Sequence, residues 1–357
     1  MVNSDIKQLH FIVGIGRSGT TILNKILNSH PDILSLPEAN FLAFFLNDYK
    51  NVKQFNRKHV DLIFEEIALF SLSHPFLGYE FDIESAKNKI IHLVGEKELS
   101  YEALCKSIYS EFKVIGNDKL FAKILIDKNP SYTLFVDKIA AQFPNSKFIF
   151  LVRDYRANTL SKKQSVYLET PNVAYNAYRW KLFNENALSF CEKNNDRVLL
   201  LRYEDLVVNN LTEIERICDF LGVRSQDINT QSGEEIKISF SNYNISPKYE
   251  ERFNKKYSDL NRPLNTGRLN SWETQFSPSE IKICDTLCSD IASQVGYKSF
   301  FQLSWIEKLS IRLKHSYSIL RAFINVNKDY VIYYMPVEMK LKRLKKIYSK
   351  LGFINKQ

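Results

Sequence analysis

"GIGRSGTTILNKIL", residues 14–27, follows the apolar run "LHFIV", and its reading decides the fold. Strand, glycine turn and helix, in that order, make a phosphate-binding loop, where backbone N–H groups and a helix N-terminus meet an anion. Gly14, Gly19, Thr20 and Thr21 stand where such loops carry Gly, Gly, Lys and Ser/Thr. The lysine place is thus Thr20, and a cation, Arg17, lies inside the loop instead. The missing lysine argues against nucleoside-triphosphate hydrolysis, because that side chain normally reaches the β and γ phosphates. No acidic strand end reads as a clear magnesium ligand. A glycine turn that serves only tight strand–helix packing is the plainer alternative.

Working outward, Ile22, Leu23, Ile26 and Leu27 predict one apolar helix face, with Asn24, Lys25 and Asn28 opposite. "AKILIDKNP" reads as a second strand ending at Asp127 and Lys128, with Asn129 as N-cap and Pro130 at the first helical position. "SKFIFLVRDYR" reads as a third, followed by a helix from about Ala157. "DRVLLLRYEDL" reads as a fourth, before a helix that Gly222 closes. Strands alternating with helices predict right-handed crossovers and a parallel sheet, with ligands at the carboxyl ends of the strands. The expected fold is α/β, a parallel sheet flanked by helices, with Gly16, Arg17, Lys128, Arg153 and Tyr203 sharing one rim. Residues 40–120 read as an aromatic, helical insertion over that rim on the acceptor side. Residues 224–270 read as a long polar loop. "SPSEIKICDTLCSDIASQVGY" predicts a helix capped by Ser277, Pro278 and Glu280.

With 357 residues, 45% hydrophobic and 25% charged, the chain can bury a substantial core. No apolar run approaches the ~20 residues of a membrane span. The N-terminal stretch lacks the basic flank and apolar run of a signal peptide, so a cytoplasmic protein is expected. Five scattered cysteines fit reduced core thiols, and Cys284 with Cys288, one helical turn apart, lack a histidine pair to complete a metal site. The net charge of +9 resides wholly in residues 305–357, which hold 12 Lys and Arg against 3 acids. It therefore reports a basic helical tail, not a nucleic-acid-binding enzyme. Leu341, Leu344, Ile347 and Leu351 form a stripe suited to an anionic membrane, a partner, or the chain's own domain. A membrane contact would make the protein peripheral on the inner face.

"FIVGIGRSGTTILNKILNSHPDILSLPEANF" resembles the opening of sulfotransferases that use 3′-phosphoadenosine 5′-phosphosulfate, PAPS. It is similar to the branch with an RSGTT loop, which includes tyrosylprotein sulfotransferases and many bacterial proteins. The likeness recurs at "LIDKNPSYTLFVDKIAAQFPNSKFIFLVRDYRANTLSKKQS", at "LLLRYEDLV" and more faintly at "NTGRLNSW", covering about 9–300 in blocks. It implies a P-loop-kinase-like fold, PAPS as co-substrate and no metal, with residues 1–304 forming the sulfotransferase domain and 305–357 an extension.

Residue by residue, the resemblance implies a 5′-phosphosulfate loop of Arg17, Ser18, Gly19, Thr20 and Thr21, and a 3′-phosphate site of Arg153 and Ser161. A guanidinium at a strand end and a hydroxyl eight residues on suit a phosphate on their own chemistry too. Otherwise Arg153 pairs with Asp154 or caps its sheet. Glu38 matches a proposed general base, as an attacking hydroxyl must lose its proton; otherwise it is a helix N-terminal charge. Lys128 matches a donor to the leaving phosphate; otherwise it neutralises Asp127. Tyr203 is expected to line the nucleotide pocket or end the sheet, and Arg268 to close over the 3′-phosphate. The acceptor expected first is a carbohydrate or glycolipid hydroxyl, with peptidyl tyrosine second. A nucleotide kinase or NTPase, and a non-catalytic glycan- or membrane-binding relative, are the rival readings.

Overall fold

The structure, a computed structural model, describes residues 7–76, 78–116, 119, 122–165, 170–228 and 266–350. Its strands are β1 (Gln8–Gly14), β2 (Ile33–Ser35), β3 (Tyr79–Glu80), β4 (Lys113–Val114), β5 (Ile124–Lys128), β6 (Phe148–Val152) and β7 (Val198–Arg202). Five form a parallel sheet in the order β2-β5-β1-β6-β7. The four strands predicted from apolar runs are all present. The three-residue edge strand β2 was too short to show a period.

β1 lies at the centre and is buried on both faces, which is why it reads as an unbroken apolar run. Leu9, Phe11 and Val13 join the aromatic core under the helical lobe, while Ile12 packs with Leu23, Leu27, Ile126 and Leu151 on the other side. The loop helix is Thr20–Leu27, and it buries Asn24 beside Leu23 and Leu27. That corrects the expectation of an outward Asn24. Its amide donates to the Tyr79 hydroxyl (3.1 Å), and its carbonyl oxygen accepts from the Ser35 hydroxyl. Asn28 makes reciprocal bonds to the backbone of Ser35, so this polar patch ties the helix to β2.

The described residues of 40–120 form a helical lobe, through helices Phe41–Tyr49, Arg57–Ser73, Ile83–Glu96 and Tyr101–Tyr109. The lobe also contains the antiparallel pair β3–β4, whose two-residue strands left no sequence signal. The helix Pro278–Gln294 carries the predicted capping box of Ser277 and Glu280. Of the polar stretch 224–270, residues 229–265 lie outside the described residues.

The described residues of the basic tail hold helices Trp305–Lys314, Ser316–Tyr333 and Val337–Lys350. The last packs on the chain's own lobe: Leu341 and Tyr348 are buried and Leu344 partly so, but Ile347 is exposed. Lys340 is buried and donates to Asp48 Oδ2 (2.7 Å), and the Tyr348 hydroxyl meets Ser73 Oγ at 2.6 Å. Leu351 lies outside the described residues.

Candidate functional site

The loop after β1 is shaped by close approach. A Cβ on Gly14 would stand 2.5 Å from the Leu151 carbonyl oxygen, and one on Gly19 would stand 2.3 Å from the Tyr203 ring. Gly19 also has a φ of 94° and caps the helix Thr20–Leu27. Arg17 adopts a left-handed φ of 73°, a conformation that costs a non-glycine residue energy and recurs at ligand sites. A Cβ on Gly16 would meet nothing within 4 Å, so the space there is open. Thr20 is buried at the helix start, and Thr21 is half-buried beside it.

The loop is held from outside by two residues that sequence reading did not single out. Thr133 Oγ1 accepts from the Gly14 N–H (2.8 Å) and donates to the Gly14 carbonyl (2.6 Å). The Asn158 amide donates to the Gly16 carbonyl (3.0 Å) and to the buried Ser18 hydroxyl (3.1 Å). Asn158 lies within "VRDYRANTLS", five residues past Arg153. A polar residue on the inward face of a predicted helix was the available signal.

The predicted 3′-phosphate residues stand against the same loop. Arg17 Nε donates to Ser161 Oγ at 3.1 Å. Arg153 Nη1 donates to the Arg17 carbonyl at 3.2 Å, while its guanidinium lies 4.7 Å from the centre of the Tyr203 ring. Nη2 is 3.5 Å from the Arg268 carbonyl, which brings the late "TGRLNSW" segment to the site through its backbone. The alternative pairing of Arg153 with Asp154 is not realised. Asp154 caps the helix Tyr155–Lys163 and is gripped by Arg156 Nε (3.1 Å) and Nη2 (2.6 Å). That helix begins slightly earlier than expected. Tyr203 is both a buried sheet-end tyrosine and a site residue; burial raises its phenol while Arg153 opposes the shift.

On the other side of β1, Lys128 Nζ donates to Glu38 Oε1 at 2.7 Å. Lys128 is 5% exposed and Glu38 28%. Two hydrogen bonds fix the chain beside Glu38, because Asn129 Nδ2 (3.3 Å) and the Tyr132 hydroxyl (2.8 Å) both donate to the Ala39 carbonyl. The predicted N-cap Asn129 does cap a short 3₁₀ helix, Pro130–Phe135. The helix after Glu38 starts at Phe41 with Asn40 as its cap, so Glu38 is no first-turn charge. Asp127 bonds the Tyr109 hydroxyl through Oδ2, and burial pushes its carboxyl up to about 7. Cys284 and Cys288 are buried core thiols.

These groups fit a nucleotide donor with anionic groups at both its 5′ and 3′ positions. The helix N-terminus and hydroxyls attract phosphate, Gly16 opens onto free space, and Arg153 Nε is buried with no hydrogen-bond partner among the described residues.

A family model described as "Sulfotransferase family" matches residues 10–227, more than half of the chain. A relative from Caenorhabditis briggsae described as "Putative protein-tyrosine sulfotransferase" is 24% identical over 305 residues, covering 82% of this chain and 90% of the relative. Protein-tyrosine sulfotransferase 1 of Danio rerio is 22% identical over 301 residues, covering 81% and 72%. Nodulation protein NoeE of Sinorhizobium fredii is 23% identical over 320 residues, covering 84% and 68%. Among solved structures, the sulfotransferase domain from the curacin biosynthetic pathway overlays with a TM-score of 0.51 at 22% identity, covering 82% of this chain and 98% of that one. That overlay speaks to the fold alone.

Proposed function

The chain belongs to the sulfotransferase family, and from that premise we propose that it draws on PAPS and sulfates a tyrosine hydroxyl in a protein or peptide. Its activity as a sulfuryl-transferring enzyme sets aside the kinase, NTPase and non-catalytic readings. The observation that carries the mechanism is the Glu38–Lys128 pair at the rim beside the loop. Where the names of relatives state an acceptor, it is protein tyrosine, which supports the phenol over the carbohydrate expected first.

PAPS, when bound, supplies the sulfuryl group and a phosphate leaving group. Arg17, Ser18, Gly19, Thr20 and Thr21 hold its 5′ end on the helix N-terminus. Arg153 and Ser161 hold the 3′-phosphate, with Tyr203 shaping the wall and Arg268 closing the edge. Arg17 and Lys128 stabilise charge that grows on the departing oxygen, a role fixed cations fill best when water is excluded. The Glu38 carboxylate takes the acceptor's proton. Lys128 has three N–H donors, so one can keep Glu38 oriented while another faces the phosphate.

The test incubates the purified protein with PAPS and two acceptors, a tyrosine peptide with acidic flanks and an oligosaccharide, and follows sulfate incorporation by mass spectrometry. Sulfation of the peptide, lost in its Tyr→Phe form, is expected. Sulfation of the oligosaccharide alone would overturn the acceptor assignment.

A further inference from the structure

The helices Trp305–Lys314 and Ser316–Tyr333 are apolar on two sides. Inward, Ala322 and Val326 are buried, Phe135 stacks on Tyr333 at 4.8 Å, and Asn325 donates to the Tyr175 hydroxyl at 2.8 Å. A surface helix ordinarily turns polar on its other face. Here Trp305 (73% exposed), Ile306, Leu309 and Leu313 (66%) line one outer stripe, within an arc of ~100° at helical spacing. On the next helix Tyr317 (76%), Leu320, Ile324 and Val331 (64%) continue the exposed series. Scattered apolar side chains are normal on a protein surface, but eight large exposed ones on two successive helices point to an interaction site.

Charge indicates what meets it. Residues 305–334 contain five basic side chains, Lys308, Arg312, Lys314, Arg321 and Lys328, against Glu307 and Asp329. Glu307 is tied to Ser304 by the capping box and Asp329 is half-buried, its carboxyl raised by that burial, so five cations stand against two acids. The net charge around the apolar series is thus positive. Residues 335–357 add six more Lys and Arg beyond the buried, Asp48-paired Lys340, against Glu338. A second copy would bring the same positive field and be repelled. An anionic bilayer offers both what the apolar residues and what the cations need. Among the described residues no helix is long and apolar enough to cross a membrane.

We propose that helices Trp305–Lys314 and Ser316–Tyr333 dock the protein onto anionic lipid bilayers. Trp305, Leu309, Leu313 and Tyr317 enter the headgroup boundary while Arg312, Lys314 and Lys328 meet lipid phosphates. The membrane element is therefore not the stripe of Leu341 and Leu344, which the fold consumes internally. The inference is independent of the acceptor.

The full chain is sedimented with phosphatidylcholine vesicles, with and without about one third phosphatidylglycerol, and sized alone by light scattering. Binding to the anionic vesicles only, weakened by salt, is expected. The variant Trp305→Ser/Leu309→Ser/Leu313→Ser should bind at least ~10-fold more weakly, since each lost apolar anchor subtracts burial. Arg312→Glu/Lys314→Glu/Lys328→Glu should lose binding with an unchanged circular-dichroism melt. Failure of the wild-type chain to sediment with anionic vesicles would overturn the proposal. So would a stable dimer that the serine variant dissociates, because a second copy would then cover the face.

Discussion

Glu38 and Lys128 stand 90 residues apart in the chain and 2.7 Å apart in space. Their closeness follows from register: β2 pairs in parallel with β5, setting Ser35 beside Ile126, so both chains leave the sheet together. The two groups proposed for proton acceptance and charge stabilisation are therefore one unit. Glu38→Gln should lower kcat ~10²- to 10⁴-fold while leaving binding of adenosine 3′,5′-bisphosphate, PAP, unchanged. Wild-type kcat in that variant would remove Glu38 from the mechanism. Lys128→Ala should lower kcat as well and loosen Glu38, so the double variant should fall well short of additive.

Arg153 bridges the loop backbone and the Tyr203 ring. PAP at 100 times its dissociation constant should add ~2.7 kcal/mol to the stability of the wild type, seen as a raised melting midpoint. Arg153→Ala should abolish that rise. An undiminished rise would place the 3′-phosphate elsewhere, and a larger response to ATP with magnesium would count against PAPS as donor.

Gly19 and Gly16 make opposite demands. Gly19→Ala forces a Cβ into the Tyr203 ring at a φ of 94°, and should cost ~1–3 kcal/mol in urea unfolding. Gly16→Ala has open space for its methyl, so stability should hold while PAP binds more weakly. Equal stability losses in the two variants would contradict the loop geometry.

Glu66 is fully buried in the helical lobe, and burial pushes its carboxyl from 4.5 up to about 8, with the Lys340 charge opposing only in part. Between those values the folded state binds more protons at this site than the unfolded state. Its contribution therefore falls as pH rises from about 4.5 to about 8, and is flat above. Glu66→Gln should flatten the profile and be more stable than wild type near pH ~9, by a few kcal/mol at most. Urea midpoints at pH ~5 and ~9 measure this. Parallel profiles for the two proteins would show that Glu66 does not titrate there.

The sequence by itself determined the sheet and the loop. The doubly buried strand β1, the glycines around Arg17 and the capped helices are local features, fixed by side-chain period and by which residues tolerate a given φ. The RSGTT resemblance added the family, and with it the expectation of PAPS as donor. Only the tertiary structure decided which groups meet. Asn24 turned inward because Ser35 and Tyr79 were waiting for it. Asn158 and Thr133 became loop supports because helices far along the chain deliver them to Gly14, Gly16 and Ser18. Lys128 chose Glu38 over its neighbour Asp127, and Arg153 left Asp154 to Arg156. Hydrogen bonds and ion pairs depend on distances set by packing, and sequence adjacency says little about them. For the same reason Leu341 and Leu344 of the tail's apolar stripe are spent on its own lobe, while the helices before it carry exposed apolar residues.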